Sequence, residues 1–196
     1  MKAKRTLAHT LIQPLAVSED GKTFPKVVYV KPSNLLTEYE IRSCLHLIGD
    51  GGAVNTDSAA DELRKSEHTG IYNIEGKIVG TGTIKRPRPK YAADKSRRSE
   101  YSFSPDLNEL GYVSVDVAYR GKKIAQTIVE HLLFAFYKPS VFTGPNLEPL
   151  PKRPLFATTS NPGMKIILER TEFKQRGKKW RGVKGDMLSL WILEPK

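Results

Sequence analysis

The alternation of apolar and polar positions predicts a series of short strands along most of the chain. A turn at Glu75–Gly76 joins two of them into a hairpin. Leu11, Leu15 and Val17 predict an additional short strand near the start, and a basic strand is expected after Phe173. The β-branched and apolar runs that predict the other strands lie at residues 26–31, 71–74, 78–84, 112–117, 154–160 and 187–193.

Helical spacing of apolar residues marks the segments between these strands. Thr37 and Glu40 form the pattern of a capping box at the start of the first predicted helix. Further helices are predicted over residues 57–65 and 161–173, and Pro139 ends the helix with the strongest apolar stripe. That stripe consists of Ala125, Ile128, Val129, Leu132, Leu133 and Phe136.

The formal net charge of +11 is concentrated in two segments. Residues 85–98 carry a net charge of +6 and residues 174–184 another +6, so the rest of the chain sums to −1. Such concentrations attract polyanions, of which nucleic acid is the first candidate. Solubility and attraction of a charged cofactor are the alternative, and the sequence leaves both open. The cations that we assign to a nucleic-acid interface are Arg86, Arg88, Lys90, Arg97, Arg98, Lys178, Lys179 and Arg181.

We expect residues 86–108 to form a long, exposed basic loop, because two prolines alternate with cations at its start. Tyr91, Tyr101 and Phe103 are interleaved with its charges. Aromatic rings among cations suit stacking on nucleic-acid bases. Alternatively, the three rings pack onto the body of the protein, and the sequence does not decide between these two interpretations.

Residues 111–125 contain the clearest functional motif. The apolar run from Tyr112 to Val117 predicts a strand, which is followed by a short basic turn and then by the helix with the apolar stripe. The first amides of a helix have no acceptor within the helix, and the helix dipole favours an anion there. With Arg120, Lys122 and Lys123 in the turn, the segment predicts a binding site for a group such as a pyrophosphate.

This segment resembles the acyl-CoA-binding segment of the GNAT superfamily of N-acetyltransferases. In that family a strand ending in a Val-Asp-like pair leads into Arg/Gln-x-x-Gly-x-Gly/Ala. This chain has Val115-Asp116 and then Arg120 to Ala125, with Lys123 where the family usually has its central glycine. The resemblance implies acetyl-CoA as co-substrate. The residues that it assigns to acyl-CoA are Val115, Asp116, Val117, Arg120, Gly121, Lys122, Lys123, Ile124, Ala125 and Asn161.

The order of elements resembles the same family from about residue 26 to the C-terminus. The resemblance implies an α/β (α+β) fold with a mixed, mostly antiparallel sheet of about seven strands and about four flanking helices. In the family the sheet is splayed between its fourth and fifth strands, which correspond here to residues 112–117 and 154–160. Two positions depart from the family pattern. Leu168 stands where the family often has a tyrosine that acts as general acid, and Glu172 stands where it commonly has a glycine.

Acyl transfer to an amine needs a base for the amine and a proton for the departing thiolate. The family's usual strand glutamate would fall at Gly111, so we assign the base to Glu109, which lies on the same face of a regular strand. A surface carboxylate with no catalytic role is the alternative for Glu109. Tyr112 is the candidate proton donor. By the same resemblance, residues 49–56 would shape the acceptor pocket.

The remaining observations bound the protein class. We expect one domain over residues 1–196, with an additional N-terminal segment, 1–25, and the basic loop 86–108. A single cysteine, Cys44, fits a reducing cytoplasm, and neither a signal peptide nor a membrane-spanning run is expected. No His/Cys spacing predicts a metal site. Two functions stay open. One is an N-acetyltransferase that acts on an amine, with a nucleic acid or a nucleic-acid-associated molecule as the candidate acceptor, and the other is an inactive member of the fold that binds nucleic acid or protein.

Overall fold

The computed structural model describes residues 10–17, 23–51, 59–104, 106–137 and 153–194. Its strands form one eight-stranded sheet with the order β1-β2-β3-β4-β5-β6-β8-β7. The strands are β1 (Thr10–Val17), β2 (Thr23–Pro32), β3 (His68–Ile74), β4 (Lys77–Lys85), β5 (Asn108–Val115), β6 (Leu155–Thr159), β7 (Lys174–Arg181) and β8 (Met187–Leu193).

All neighbouring strands of the sheet are antiparallel except β5 and β6, which run parallel. This mixed, mostly antiparallel sheet confirms the predicted fold class. The expected strand in the N-terminal segment is present as β1, at one edge of the sheet beside β2. The rest of the segment, residues 1–9 and 18–22, lies outside the described residues.

Five helices flank the sheet within the described part of the chain: α1 (Glu38–Asp50), α2 (Ala59–Arg64), α3 (Pro89–Ser99), α4 (Ile124–Tyr137) and α5 (Pro162–Arg170). Helices α4 and α5 cover one face of the sheet and share a core cluster with alternate strand residues such as Tyr72 and Val79. Helices α1 and α2 cover the opposite face, where Ile71 and Ile78 point. The predicted capping box of Thr37 and Glu40 starts α1.

Helix α4 lies very close to the middle of the sheet. A Cβ atom added at Gly80 would come within 2.8 Å of side-chain carbons of both Ile124 and Ile128. A larger residue at this position would therefore push the start of α4 away from the sheet. The close packing fixes the position of the turn that precedes the helix.

The expected exposed loop over residues 86–108 is wrong, because most of its first half forms helix α3. Pro89 occupies the first turn, where its missing N–H costs nothing, and Asp94 pairs with Arg97 and Arg98 along the helix. Only a narrow side of this polar helix, including Ala92, is buried. Such a narrow apolar side is hard to detect in the sequence, whereas the cations and prolines around it are conspicuous.

Helix α3 packs against the basic edge strand β7. The backbone of Gly177 adopts φ = +63°, and a Cβ atom there would overlap the carbonyl oxygen of Ser99 at the end of α3. Lys178 Nζ lies 2.7 Å from Glu100 Oε1, and the Arg176 guanidinium lies over the ring of Tyr101. These contacts bring together the two basic segments of the sequence.

The tight contact between α3 and β7 predicts a large effect of Gly177→Ala on stability. The substitution combines left-handed backbone strain, about 1–3 kcal/mol, with a clash against Ser99. Gly185→Ala is the matched control, because Gly185 has φ = +86° but open space around it. Urea unfolding should show a greater loss for Gly177→Ala than for Gly185→Ala. Equal losses would mean that the contact between α3 and β7 contributes nothing to stability.

Candidate active site

The site begins at an opening between strands β5 and β6. Their parallel pairing includes only Asn108 with Leu155 and Glu109 with Phe156. Beyond these two pairs the strands separate, while β5 stays paired with β4 as far as Val115. The splay implied by the family resemblance is therefore present, and it leaves backbone groups of β5 available on the side that faces the opening.

A bulge at Tyr112 changes the direction of β5 inside this opening. Gly111 lies opposite Thr83 and Ser114 lies opposite Thr81, so Tyr112 and Val113 together oppose a single residue of β4. Tyr112 has φ = +53°, which is unusual for an aromatic residue. Strained backbone of this kind is typical of functional sites.

The strand ends in a short turn that Asp116 stabilises. Its carboxylate accepts a hydrogen bond from the Ala118 amide at 3.0 Å and one from Lys77 Nζ at 2.8 Å. The Lys77 bond and the Ala118 bond lower the pKa of Asp116 below its usual value. Asp116 thus shapes the turn, and its carboxylate is already used within the protein. The Arg120 side chain folds back and donates to the Val115 carbonyl at 3.2 Å.

The backbone after this turn has the geometry of an anion-binding site. Lys123 has φ = +60°, so the lysine adopts the left-handed conformation that suits the family's glycine. Helix α4 starts at Ile124, and the Lys123 carbonyl accepts the amide of Thr127. Within the described residues, the amides of residues 121–126 donate no hydrogen bond. They are free for an anion, with exposed Arg120, Lys122 and Lys123 around them.

A buried ion pair lies at the closed end of the opening. Glu109 is only 4% exposed, and its Oε2 lies 3.1 Å from Nζ of Lys85, which stands directly opposite it on β4. The other carboxylate oxygen, Oε1, accepts a hydrogen bond from the Tyr91 hydroxyl of α3 at 3.1 Å. The alternative that Glu109 is a surface carboxylate is therefore wrong.

The ammonium group of Lys85 connects Glu109 with Tyr112. Its Nζ lies 4.1 Å from the centre of the Tyr112 ring, a distance typical of a cation–π contact. Burial opposes the charge on Lys85, but the attraction of Glu109 and Tyr112 outweighs it and raises the pKa of Lys85. Burial raises the pKa of Tyr112 despite the opposing Lys85 charge, so the phenol stays protonated at neutral pH.

Sequence reasoning missed Lys85 and left open whether Tyr91 is exposed or packs onto the body of the protein. The structure shows the second, because the Tyr91 hydroxyl contacts Glu109 and burial raises its pKa. Successive side chains of β4 alternate between the two faces of the sheet, so Lys85 lies on the face opposite Ile84. This alternation could have identified Lys85 as an inward-facing lysine. Its partner could not be identified without the register between β4 and β5.

The second region of the family resemblance is only partly preserved. The Asn161 side chain accepts the Met164 amide and so caps α5. Leu168 is fully buried in the core, so no proton donor comes from that position. Glu172 has φ = +69° and Phe173 donates to the Leu168 carbonyl, which is the usual arrangement of a glycine-terminated helix.

The residues predicted to bind nucleic acid fall into three groups. Arg86 and Arg88 lie just before α3 and pair with Glu67 and Glu62. Two further groups lie on α3 and β7: Lys90, Arg97, Arg98, Lys178, Lys179 and Arg181. The aromatic rings of this region belong to a core cluster instead of an exposed face.

Part of the predicted acceptor side lies outside the described residues. Of residues 49–56, only 49–51 belong to the described structure, and 52–56 lie outside it. The end of α1 is fixed beside β5 by Ser114, whose hydroxyl donates to the Leu47 carbonyl at 2.6 Å. Among the described residues, no helix is long and apolar enough to cross a bilayer, and no group of His, Cys, Asp or Glu side chains could hold a metal ion.

The fold, the open edge of β5 and the anion-binding turn define the class of protein. The sequence profile of the acetyltransferase (GNAT) family matches residues 38–140, more than half of the chain. The chain therefore belongs to the GNAT acetyltransferase family, and it is an acyltransferase by family. A comparison with curated protein sequences gave no match.

Solved structures with the same fold cover most of this chain. An N-acetyltransferase from Staphylococcus aureus Mu50 is 18% identical with a TM-score of 0.57, covering 85% of this chain and 98% of that chain. The ribosomal-protein-S18-alanine N-acetyltransferase from Escherichia coli is 12% identical with a TM-score of 0.57, covering 85% and 92%. The NatC complex bound to Gag peptide and CoA contains a chain that is 15% identical with a TM-score of 0.62, covering 86% and 99%. At these identities the similarity shows the fold alone.

The buried pair of Lys85 and Glu109 predicts strong coupling between the two residues in stability. Lys85→Met or Glu109→Gln alone leaves the partner's charge buried without its counterion and should cost roughly 3–5 kcal/mol. The double variant should cost clearly less than the sum of the two. Urea unfolding of all four proteins measures this coupling, and strictly additive losses would show that the two charges do not stabilise each other.

The free energy of unfolding at alkaline pH provides a second measurement on this pair. The pKa of Lys85 in the folded protein is raised above 10.5. The stabilisation that the charged Lys85 gives to the folded state is therefore complete below pH 10.5 and is lost as the pH rises through the folded pKa. Lys85→Met should therefore lose less stability than the native protein in that range. A parallel decline of the two proteins would contradict the raised pKa.

Proposed function

We propose that the protein transfers an acetyl group from acetyl-CoA to an amine. The observation that carries this proposal is the continuity of the open edge of β5 with the free amides of residues 121–126 at the start of α4. An extended thioester arm can hydrogen-bond to an open strand edge while its pyrophosphate binds at the helix start. The cations of the turn add attraction for the phosphates.

The residues proposed for acyl-CoA have different roles along this path. The backbone of Val115 and Val117 would bind the pantetheine arm, with Asp116 holding the turn. Residues 120–125 would bind the pyrophosphate, and Arg120 is the cation at the entrance of the turn. Asn161 contributes by capping α5, on the β6 side of the opening.

Tyr112 is proposed to donate the proton that the CoA thiolate takes up. Its phenol is half-buried beside the opening and stays protonated at neutral pH because burial raises its pKa. Leu168 cannot take this role, since its position lies in the core. Glu109 is the proposed base, because it is the buried carboxylate at the closed end of the opening. Lys85 and Tyr91 hold its two oxygens and so fix its position.

For the acceptor, we propose an amine on a nucleic acid or on a protein bound to nucleic acid. In the described part of the acceptor side, Lys85 pairs with Glu109 and Arg88 pairs with Glu62. These acids are therefore neutralised, which disfavours small polycations such as polyamines as acceptors. The cations of α3 and β7 extend the basic character beyond the site.

Binding of acetyl-CoA to the native chain and to Arg120→Glu tests the donor site. Calorimetry should show micromolar binding to the native protein and a loss of at least about tenfold, ~1.4 kcal/mol, in Arg120→Glu, because a carboxylate would face the pyrophosphate. Arg42→Glu is the matched control, since it reverses one charge on α1. No binding by the native chain, or equal losses in both variants, would refute the donor site.

Turnover of Tyr112→Phe tests the proton donor. Release of CoA should be measured with duplex DNA, duplex RNA, and peptides that offer a free N-terminal amine or a lysine. Tyr112→Phe should lower kcat about 100-fold without changing acetyl-CoA affinity, because the ring remains and the proton is lost. Tyr39→Phe is the control, since its hydroxyl bonds to the Gly76 carbonyl away from the opening. Turnover of Tyr112→Phe close to the native rate would remove Tyr112 from the mechanism.

A further inference from the structure

Helix α3 and strand β7 combine the two basic segments of the sequence into one surface. The contacts of Gly177 with Ser99 and of Lys178 with Glu100 hold them side by side. We call the exposed cations of the two elements on the side of the sheet that α3 covers the basic surface. Its members are Lys90, Arg97, Arg98, Lys174 and Lys178. Lys179 and Arg181 flank the buried Trp180 and therefore lie on the other face of β7.

The basic surface keeps an excess of positive charge after its ion pairs are counted. Asp94 pairs with Arg97 and Arg98, and Glu100 pairs with Lys178, so five cations face two carboxylates and the net charge is +3. Within the described residues, the other two cations of the surface form no ion pair.

Protection against aggregation explains only part of this surface. Lysines on an edge strand such as β7 prevent pairing with other sheets. The cations of α3 have no such role, because a helix has no open edge for pairing. A surface shared by a helix and an edge strand therefore indicates a polyanionic partner.

The aromatic residues of this region decide which polyanion fits. Tyr91, Tyr101 and Phe103 pack against the sheet in a core cluster, and the ring centres of Phe103 and Phe156 are 5.0 Å apart. Stacking on unpaired bases needs a fully exposed ring face, whereas these three rings are partly buried against the sheet. Cations without stacking rings suit the phosphate backbone of a double helix, where the bases are already stacked.

The basic surface also lies close to the proposed active site. The inner side of α3 provides Tyr91, whose hydroxyl contacts Glu109, while the outer side carries Lys90 and Arg97. A helix with its side chains is about 10–12 Å across. A duplex on the outer side would therefore lie within roughly one helix diameter of the acyl-transfer site.

We propose that the basic surface binds the phosphate backbone of a double-helical nucleic acid without reading its sequence. This inference rests on the proposed function for one point only, that the bound duplex carries or delivers the acceptor amine. The binding itself is measurable without turnover and without acetyl-CoA.

Fluorescence anisotropy with a labelled, mixed-sequence duplex tests the proposal on three double variants that each remove two positive charges. Arg97→Gln/Arg98→Gln changes α3, Lys174→Gln/Lys178→Gln changes β7, and Arg42→Gln/Lys65→Gln is the control on the α1 and α2 side. The native protein should bind DNA or RNA duplexes of unrelated sequence with similar affinity, and binding should fall steeply as KCl is raised. Both surface variants should bind about tenfold more weakly at low salt and lower the salt slope by about 2. The control should change neither.

Several results would overturn the proposal. One is the absence of duplex binding at low salt, and another is an equal loss in the control variant, which would indicate attraction by net charge alone. Preferred competition by a single strand would indicate base stacking, and equal competition by polyaspartate would indicate an acidic protein as the partner. Acetyl-CoA calorimetry on the same proteins separates the two proposals. Duplex binding without acetyl-CoA binding refutes the enzyme function alone, and acetyl-CoA binding without duplex binding refutes the basic surface alone.

Discussion

Strand β5 pairs with β4 from Glu109 to Val115 on both sides of the bulge at Tyr112, but with β6 only at its first two residues, and the site depends on this asymmetry. The unpaired stretch is where backbone groups become available to a substrate. The bulge at Tyr112 bends the strand there, and close packing of α4 on Gly80 keeps the following turn in place. An extended arm and a phosphate group can thus be bound by backbone alone, which explains why so few side chains of the site are recognisable in the sequence.

At Lys123 and Glu172 the chain departs from the family pattern in the residue type but keeps the backbone conformation that glycine would adopt. Both adopt the left-handed conformation that glycine would adopt most easily. Each must cost some stability relative to glycine, and the surrounding turn and helix end hold the conformation nevertheless. Leu168 is different, because its position is part of the core and cannot provide a proton. For proton transfer we therefore propose Tyr112 and Glu109 of the bulged strand, which meet Lys85 of β4.

Helix α3 links the interior of the site with the outer surface of the protein. Its inner side places Tyr91 against Glu109, and its end packs on Gly177 of the edge strand. This one short, polar helix thereby provides a hydrogen bond to the buried ion pair and also carries several of the exposed cations. The same packing partly buries Tyr91, Tyr101 and Phe103, and so decides between the two interpretations that the sequence leaves open for these rings.

The sequence by itself determined the order of the strands and of four of the five described helices, the hairpin at Glu75–Gly76, the apolar side of α4 and the position of the basic turn before it, because periodicity and turn chemistry are local properties. It also determined where charge is concentrated. It did not determine that residues 89–99 form a helix, since the few buried side chains of α3 find their partners only on distant strands. The pairing of Lys85 with Glu109 and the joining of the two basic segments were decided by strand register and by packing. Contacts between residues far apart in the chain follow from the tertiary structure and leave no local pattern.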